Sequence, residues 1–313
     1  MAVGNNAVLL AVLVALVALF GLTAEHFFST LTLRTVANQV PALLTVSVGM
    51  TLVLVAAGID LSVGSVLSLA AAVLGVLVAD GGVPVVLAAL IAMTTGLACG
   101  LVNGWIVTRW RVPAFIVTLG MLEVARGGAY LVTDSQTRYL GPVVAGLARP
   151  TVFGGISTSF LLAVAFVAVG EIVLRRTVYG RHLTALGANE EAARLSGIDV
   201  RRVRLTVFAV AGLLAGIAGL FQTAYLESSD PNAGIGIELQ AIAAVVIGGT
   251  SLMGGRGSVV GTFFGVLIIA ILQTGLAQLG ASEPSKRVIT GLVIVLAVVA
   301  DVAPRRLDRS RAD

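Results

Sequence analysis

The chain has 313 residues, 58% hydrophobic and 12% charged, with a mean hydropathy of +1.03 and a pI of ≈ 9.8. A soluble globular domain carries about 25% charged residues, so this composition excludes a water-coated protein and points to a polytopic membrane protein. The net charge of +4 comes from basic residues clustered between apolar runs, which reads as a topology signal, and no nucleic-acid partner is expected.

A bilayer core needs about 20 apolar residues per helix. Candidate spans in chain order are 6–24, 38–58, 61–80, 84–108, 112–132, 157–175, 204–226, 237–254, 258–279 and 287–303. The first follows MAVGNN, which lacks a basic flank, and Leu22-Thr23-Ala24 is a poor cleavage site, so a retained helix is expected. The span 237–254 is short and Gly-rich, as is the join at 58–64. Broken or re-entrant segments of this kind are tolerated only where protein or a water-filled path covers the backbone. The expected fold class is all-α: about ten transmembrane helices with some broken or re-entrant segments. Three basic clusters set the orientation: Arg109 with Arg111, the island from Arg175 to Arg204, and the tail PRRLDRSR. With ten crossings all three fall on the cytoplasmic side, together with both termini. The outward loop 133–156, with Pro142 and Pro150, reads as an ordered external turn.

Gly96, Gly100 and Gly104 recur every four residues, as do Gly212 with Gly216 and Gly261 with Gly265. Such spacing lets helices approach closely in lipid. The segments LVAAGIDLSVGSVLSLAAAVLG and VVIGGTSLMGGRGSVVGTFFG both place an apolar strip on each side of a Gly-rich break, a weak sign of an internal repeat.

Exclusions narrow the chemistry. One cysteine, Cys99, rules out a disulfide framework, and His26 and His182 have no partners at metal spacing. Lys286 is the only lysine and stands outside any P-loop pattern. If ATP drives the work, another polypeptide binds it. Gly255-Arg256-Gly257-Ser258 resembles a phosphate nest, but no strand precedes it. Clustered acids, histidines or nucleophiles of a membrane enzyme are missing too, so no catalytic residues are expected.

The island carries the most information. Glu191-Ala192-Ala193-Arg194-Leu195-Ser196-Gly197 reads as a short amphipathic helix, with Asn189 able to cap its start and Gly197 suited to a left-handed end. Glu190 and Glu191 fall in its first turn, near the positive end of the dipole. It suits a groove in a soluble partner, or is a solvated loop helix; composition alone leaves both open. Asp60, with Ser62 and Ser65, lies between apolar spans. It reads either as an N-cap for the next helix or as part of a path or gate. Glu123 and Arg126 share a helix face, and a structural pair within the bundle is expected.

Here the residues resemble a known family. GANEEAARLSGIDV is similar to the cytoplasmic coupling loop of permease subunits in ribose-type sugar ABC importers. GIDLSVGSVLSL at 58–69, PAFIVTLGML at 113–122 and ELQAIAAVVIGGTSLMGGRGSVVGT at 238–262 match further hallmark segments in the same order. Gln240 departs from the Asp often found there. No I-x-L-P follows the E-A-A-x-x-x-G core, which favours the ribose-type over the maltose-type class. The resemblance implies a single permease domain over 1–313 of a bacterial inner-membrane importer, with a coupling loop at 176–203 holding Gly187, Asn189, Glu190, Glu191, Ala192, Ala193 and Gly197. It implies that this chain binds no cofactor, ATP and Mg²⁺ being held by separate ATPase subunits. Further implied partners are a second permease copy or paralogue, an extracytoplasmic sugar-binding protein and a monosaccharide. Asp60, Ser62, Asn103 and Gln240 are candidates for the translocation path or gate. Glu227, Asp230 and Glu238 are candidates for docking the binding protein. The alternative, an ion-coupled secondary sugar transporter, needs a titratable centre at mid-membrane, and the chain offers few intramembrane acids.

Overall fold

Long aliphatic runs keep their backbone hydrogen bonds internal by coiling, and every expected span contains a helix. The computed structural model describes residues 2–148, 150–152, 155–293 and 295–296. Its helices are α1 (Ala2–Thr23), α2 (Thr30–Val55), α3 (Val63–Ala79), α4 (Val85–Trp110), α5 (Ala114–Thr133), α6 (Thr158–Arg176), α7 (Val178–Ala188), α8 (Glu190–Leu195), α9 (Val200–Leu226), α10 (Ile237–Ile247) and α11 (Val259–Gln278). A further helix, α12, covers 283–293. The basic tail and the end of the last expected span lie outside the described residues.

Helices α2, α4, α5, α6, α9 and α11 are long and apolar enough to cross a membrane. The protein is an all-α polytopic membrane protein. At 11 residues, α10 rises about 16 Å, half of a ~30 Å hydrocarbon core. Side-chain caps fix where the helices begin. Ser29, Ser157, Thr177, Asp199 and Ser258 accept from the first-turn amides of α2, α6, α7, α9 and α11, satisfying donors that have no partner inside the helix. Asp60 is not among these caps. Ser62 occupies the N-cap position of α3, and the Asp60 carboxylate accepts from Ser62 itself.

Helices α2 and α9 form the centre, their apolar windows 83% and 72% buried against 22% for α4 and α5. The repeated glycines work as spacing predicts. A Cβ at Gly96 would overlap the Gly212 carbonyl, and one at Gly100 the Phe208 carbonyl, so α4 and α9 touch backbone to backbone. Gly261 and Gly265 meet the carbonyls of Gly248 and Ala244 in the same way, joining α10 to α11. The two halves of the weak repeat each form helix, break, helix, and the breaks meet: Gly255 N donates to the Val55 carbonyl at 2.9 Å.

Short strands link segments of the loops between helices. β1 (Arg138–Tyr139) pairs antiparallel with β4 (Ser228–Ser229), and β2 (Pro150–Val152) with β3 (Ile156–Ser157). Arg138 reaches Asp80 at 3.0 Å, and Ser229 Oγ donates to the Ala71 carbonyl at 2.8 Å.

Candidate functional site: a coupling loop and an outward cleft

Six residues cannot hold a helix alone, so α8 depends on its ends. Asn189 Oδ1 accepts from Ala192 N at 3.0 Å. At the other end Gly197 takes φ +83, Gly197 N donates to Arg194 O at 3.0 Å and Ile198 N to Ala193 O at 3.1 Å. This is the paired closure of a Schellman ending, which needs a left-handed residue. Ala193 is the buried residue of the helix. Glu190, Glu191, Ala192, Arg194 and Leu195 face outward, Leu195 with 79% of its surface exposed. The helix is tied down by Arg204, whose Nη2 lies 2.7 Å from Glu190 Oε2. On its surface Arg194 pairs with Glu191 at 2.6 Å, and that hydrogen bond and charge raise the guanidinium pKa. Nearby, burial pushes the Tyr179 phenol up, against the lowering effect of its bond to Thr206.

The seat of this loop is a knot of glycines. Gly187, at the end of α7, is buried where a Cβ would overlap the Val55 carbonyl at the end of α2 and stand 2.5 Å from Gly255 N. Gly255 in turn packs on Ala188. The Gly255–Ser258 stretch is therefore a packing device that joins the loop to the breaks of two membrane helices. Met253, on the same turn, is 79% exposed.

A cleft of ≈ 510 Å³ beside α8 is lined by Arg109, Arg111, Arg194, Arg201 and Arg204, with Glu190 and Asp199. Two of the three basic clusters thus share one cleft.

Sequence reasoning passed over Glu171. From α6 its Oε2 accepts from Val259 N at 2.7 Å and Val260 N at 3.2 Å, capping α11 from a different helix, while Oε1 holds Arg175 at 2.6 Å. An acid inside an apolar span was the available signal. Glu171→Ala is expected to destabilise the fold by about 2 kcal/mol, the value of hydrogen bonds to a charged group. Thermal unfolding in detergent checks it; an unchanged midpoint would remove the capping role.

The path candidates divide. Asp60, Ser62 and Asn103 are buried and bonded in a row: Ser62 Oγ donates to Asp60 Oδ1 at 2.6 Å, and Asn103 Nδ2 to Ser62 Oγ at 3.0 Å. They brace the break before α3 against α4. Gln240 instead lines an open cleft of ≈ 460 Å³ between α2, α10, α11 and α12, together with Thr35, Gln39, Gln273, Thr274 and Thr290.

The docking candidates divide as well. Glu227 is exposed and Asp230 half-buried, its Oδ1 accepting from Asn232 N at 2.8 Å. Glu238 is corrected: it is 7% exposed, wedged over Gly64 where only hydrogen leaves room, and so is not on a docking surface.

The family model described as branched-chain amino acid transport system / permease component matches residues 32–298. The chain is 40% identical over 299 residues to the ribose import permease protein RbsC of Escherichia coli strain K12, covering 92% of this chain and 91% of the relative. The protein of the same name from Bacillus subtilis strain 168 is 38% identical, over 91% and 89%. The fructose import permease protein FrcC of Rhizobium meliloti is 34% identical, over 94% and 84%. The chain therefore belongs to the branched-chain amino acid transport system / permease component family, as an inner-membrane permease of the ribose type.

Proposed function

We propose that this permease passes a monosaccharide of the ribose or fructose kind along a path that opens outward through the cleft of Gln39, Gln240 and Gln273. Three carboxamides and several hydroxyls offer both donors and acceptors, which is what sugar hydroxyls require. The printed names of the relatives support the substrate class. On this reading the chain is one permease domain over 1–313 that crosses the bilayer ten times with both termini in the cytoplasm. Two ATPase subunits hold ATP and Mg²⁺ and clasp α8 within the loop 176–203. An external sugar-binding protein docks over Glu227 and Asp230. Closure of the ATPase pair moves α8, and α7 carries that motion through Gly187 to the ends of α2 and α10, switching the path between outward and inward access.

The observation that carries the coupling role is α8 itself: capped at both ends, exposed apart from Ala193, and preceded by α7, whose Gly187 and Ala188 pack on the breaks of two membrane helices. Family membership leaves the ion-coupled alternative without support.

The test is ATP hydrolysis in liposomes containing the chain, its ATPase and its binding protein, with ribose, fructose or neither. Hydrolysis is expected to rise only when the binding protein is loaded with sugar. Uptake that follows an ion gradient and ignores the ATPase would overturn the reading.

A further inference from the structure

The chain has two tryptophans, and both stand near the end of α4. Trp105 and Trp110 are 48% and 56% exposed, with ring centroids 4.8 Å apart. Tryptophan collects where hydrocarbon gives way to lipid headgroups. The length of α4 agrees with that level. Its 26 residues rise about 39 Å, which exceeds a ~30 Å core and carries the last turns beyond it.

The exposed strip of α4 changes character along the helix. Leu101 and Val102 are followed one turn on by Trp105, and Trp105 one turn on by Arg109. A phospholipid presents acyl chain, interface and headgroup in the same order. Arg109 and Arg111 bracket Trp110 and line the ≈ 510 Å³ cleft that Arg201 and Arg204 of α9 close from the other side.

Charge in this cleft is one-sided. Five arginines face Glu190 and Asp199, and both acids are engaged, Glu190 by Arg204 and Asp199 by Arg202. Arg194 has Glu191. Among the described residues no ion pair involves Arg109, Arg111 or Arg201. Arg111 also takes φ +54, a conformation that glycine or asparagine adopts at lower cost, so the turn itself does not require an arginine. Guanidinium groups hold phosphate through paired, charge-assisted hydrogen bonds.

We infer that this cleft holds the phosphate of an anionic phospholipid between Arg109, Arg111 and Arg201, with the acyl chains along Trp105, Val102 and Leu101. Basic pockets beside membrane helices at headgroup level bind such lipids. A lipid seated there ties the turn after α4 to the start of α9, beside α8. The site requires neither the sugar path nor a bound ATPase, and so goes beyond the proposed function.

The two tryptophans are the probe. The full chain is reconstituted in phosphatidylcholine vesicles containing phosphatidylglycerol with brominated acyl chains. Quenching of tryptophan fluorescence is compared with that given by brominated phosphatidylcholine. Phosphatidylglycerol is expected to be preferred about tenfold. Changing Arg109→Gln, Arg111→Gln and Arg201→Gln together should remove the preference, while quenching by brominated phosphatidylcholine persists and shows that α4 still lies in the bilayer. Arg202→Gln should keep the preference, since Arg202 is 86% exposed and outside the cleft lining. No preference in the parent chain, or an equal one in the triple variant, would overturn the inference.

Two further arms separate other occupants. Inorganic phosphate, at an ionic strength matched with chloride, is expected to leave the preference intact. Its loss to phosphate but not to chloride would make the cleft a site for a soluble anion and sink the lipid. The triple variant is also expected to bind the ATPase as the parent does. Loss of that binding with the lipid preference unchanged would give the cleft to an acidic surface of the ATPase instead. None of these readouts involves a sugar, so failure here and failure of the substrate reading are distinguishable.

Discussion

Leu195→Asp is expected to cut binding of the ATPase about 30-fold or more while leaving the permease folded. The side chain is 79% exposed on α8, so the isolated protein loses almost no packing by the change. Burying a leucine at an interface contributes roughly 1.5–3 kcal/mol, and placing a carboxylate there adds the cost of an unpaired buried charge. A loss of 2 kcal/mol or more corresponds to about 30-fold in affinity. Co-purification of the ATPase with the permease reads this directly, and transport should fall in parallel. Gly197→Val tests the same element by another route. A β-branched residue at φ +83 is strained in the left-handed region, so the Schellman ending opens and the helix loses its C-terminal anchor. Binding of the ATPase would weaken less than with Leu195→Asp. Normal uptake by both variants would remove α8 from the coupling role.

Gly187→Ala should be the most disruptive single methyl among the described glycines. The added Cβ overlaps the Val55 carbonyl and crowds Gly255 N, the two groups that bond to each other at 2.9 Å. Relief requires α7 to move off the breaks of both α2 and α10. Overpacking of this kind costs about 3 kcal/mol when neighbours are backbone and cannot rotate away. The expected result is a sharply lower yield of folded permease, with the ATPase bound to the surviving fraction hydrolysing ATP without sugar being moved. Gly146→Ala is the control, since a Cβ there meets nothing within 4 Å. Equal yield and coupling in the two variants would show that the glycine knot does not transmit motion.

The legible part of this protein is its local part. Apolar runs placed most helix ends to within four residues, because backbone satisfaction in lipid leaves few other solutions, but α2 begins eight residues before its expected span and α10 ends seven residues before the end of its own. Asn189, Glu191 and Gly197 announced a capped helix, because capping is decided within four or five residues of sequence. Glycines at four-residue spacing announced close helix contacts, though not that Gly96 would meet Gly212.

The rest depended on which distant segments meet. Glu238 reads as a surface acid from its neighbours, yet the tertiary fold buries it over Gly64, some 170 positions away in sequence. Glu171 reads as one awkward charge in a span, yet it caps α11 from α6. Glu123 with Arg126 reads as an internal pair at its spacing, and the fold leaves Glu123 facing outward. The sequence by itself determined a membrane-spanning helical chain, a short capped helix in its polar island and its family. Only the tertiary structure decided which acids are buried, which cap a helix and which point away from the rest of the chain. The physical reason is that caps, turns and hydrophobic period are written in adjacent residues, whereas a charge takes its role from the atoms around it, and those are supplied by other helices.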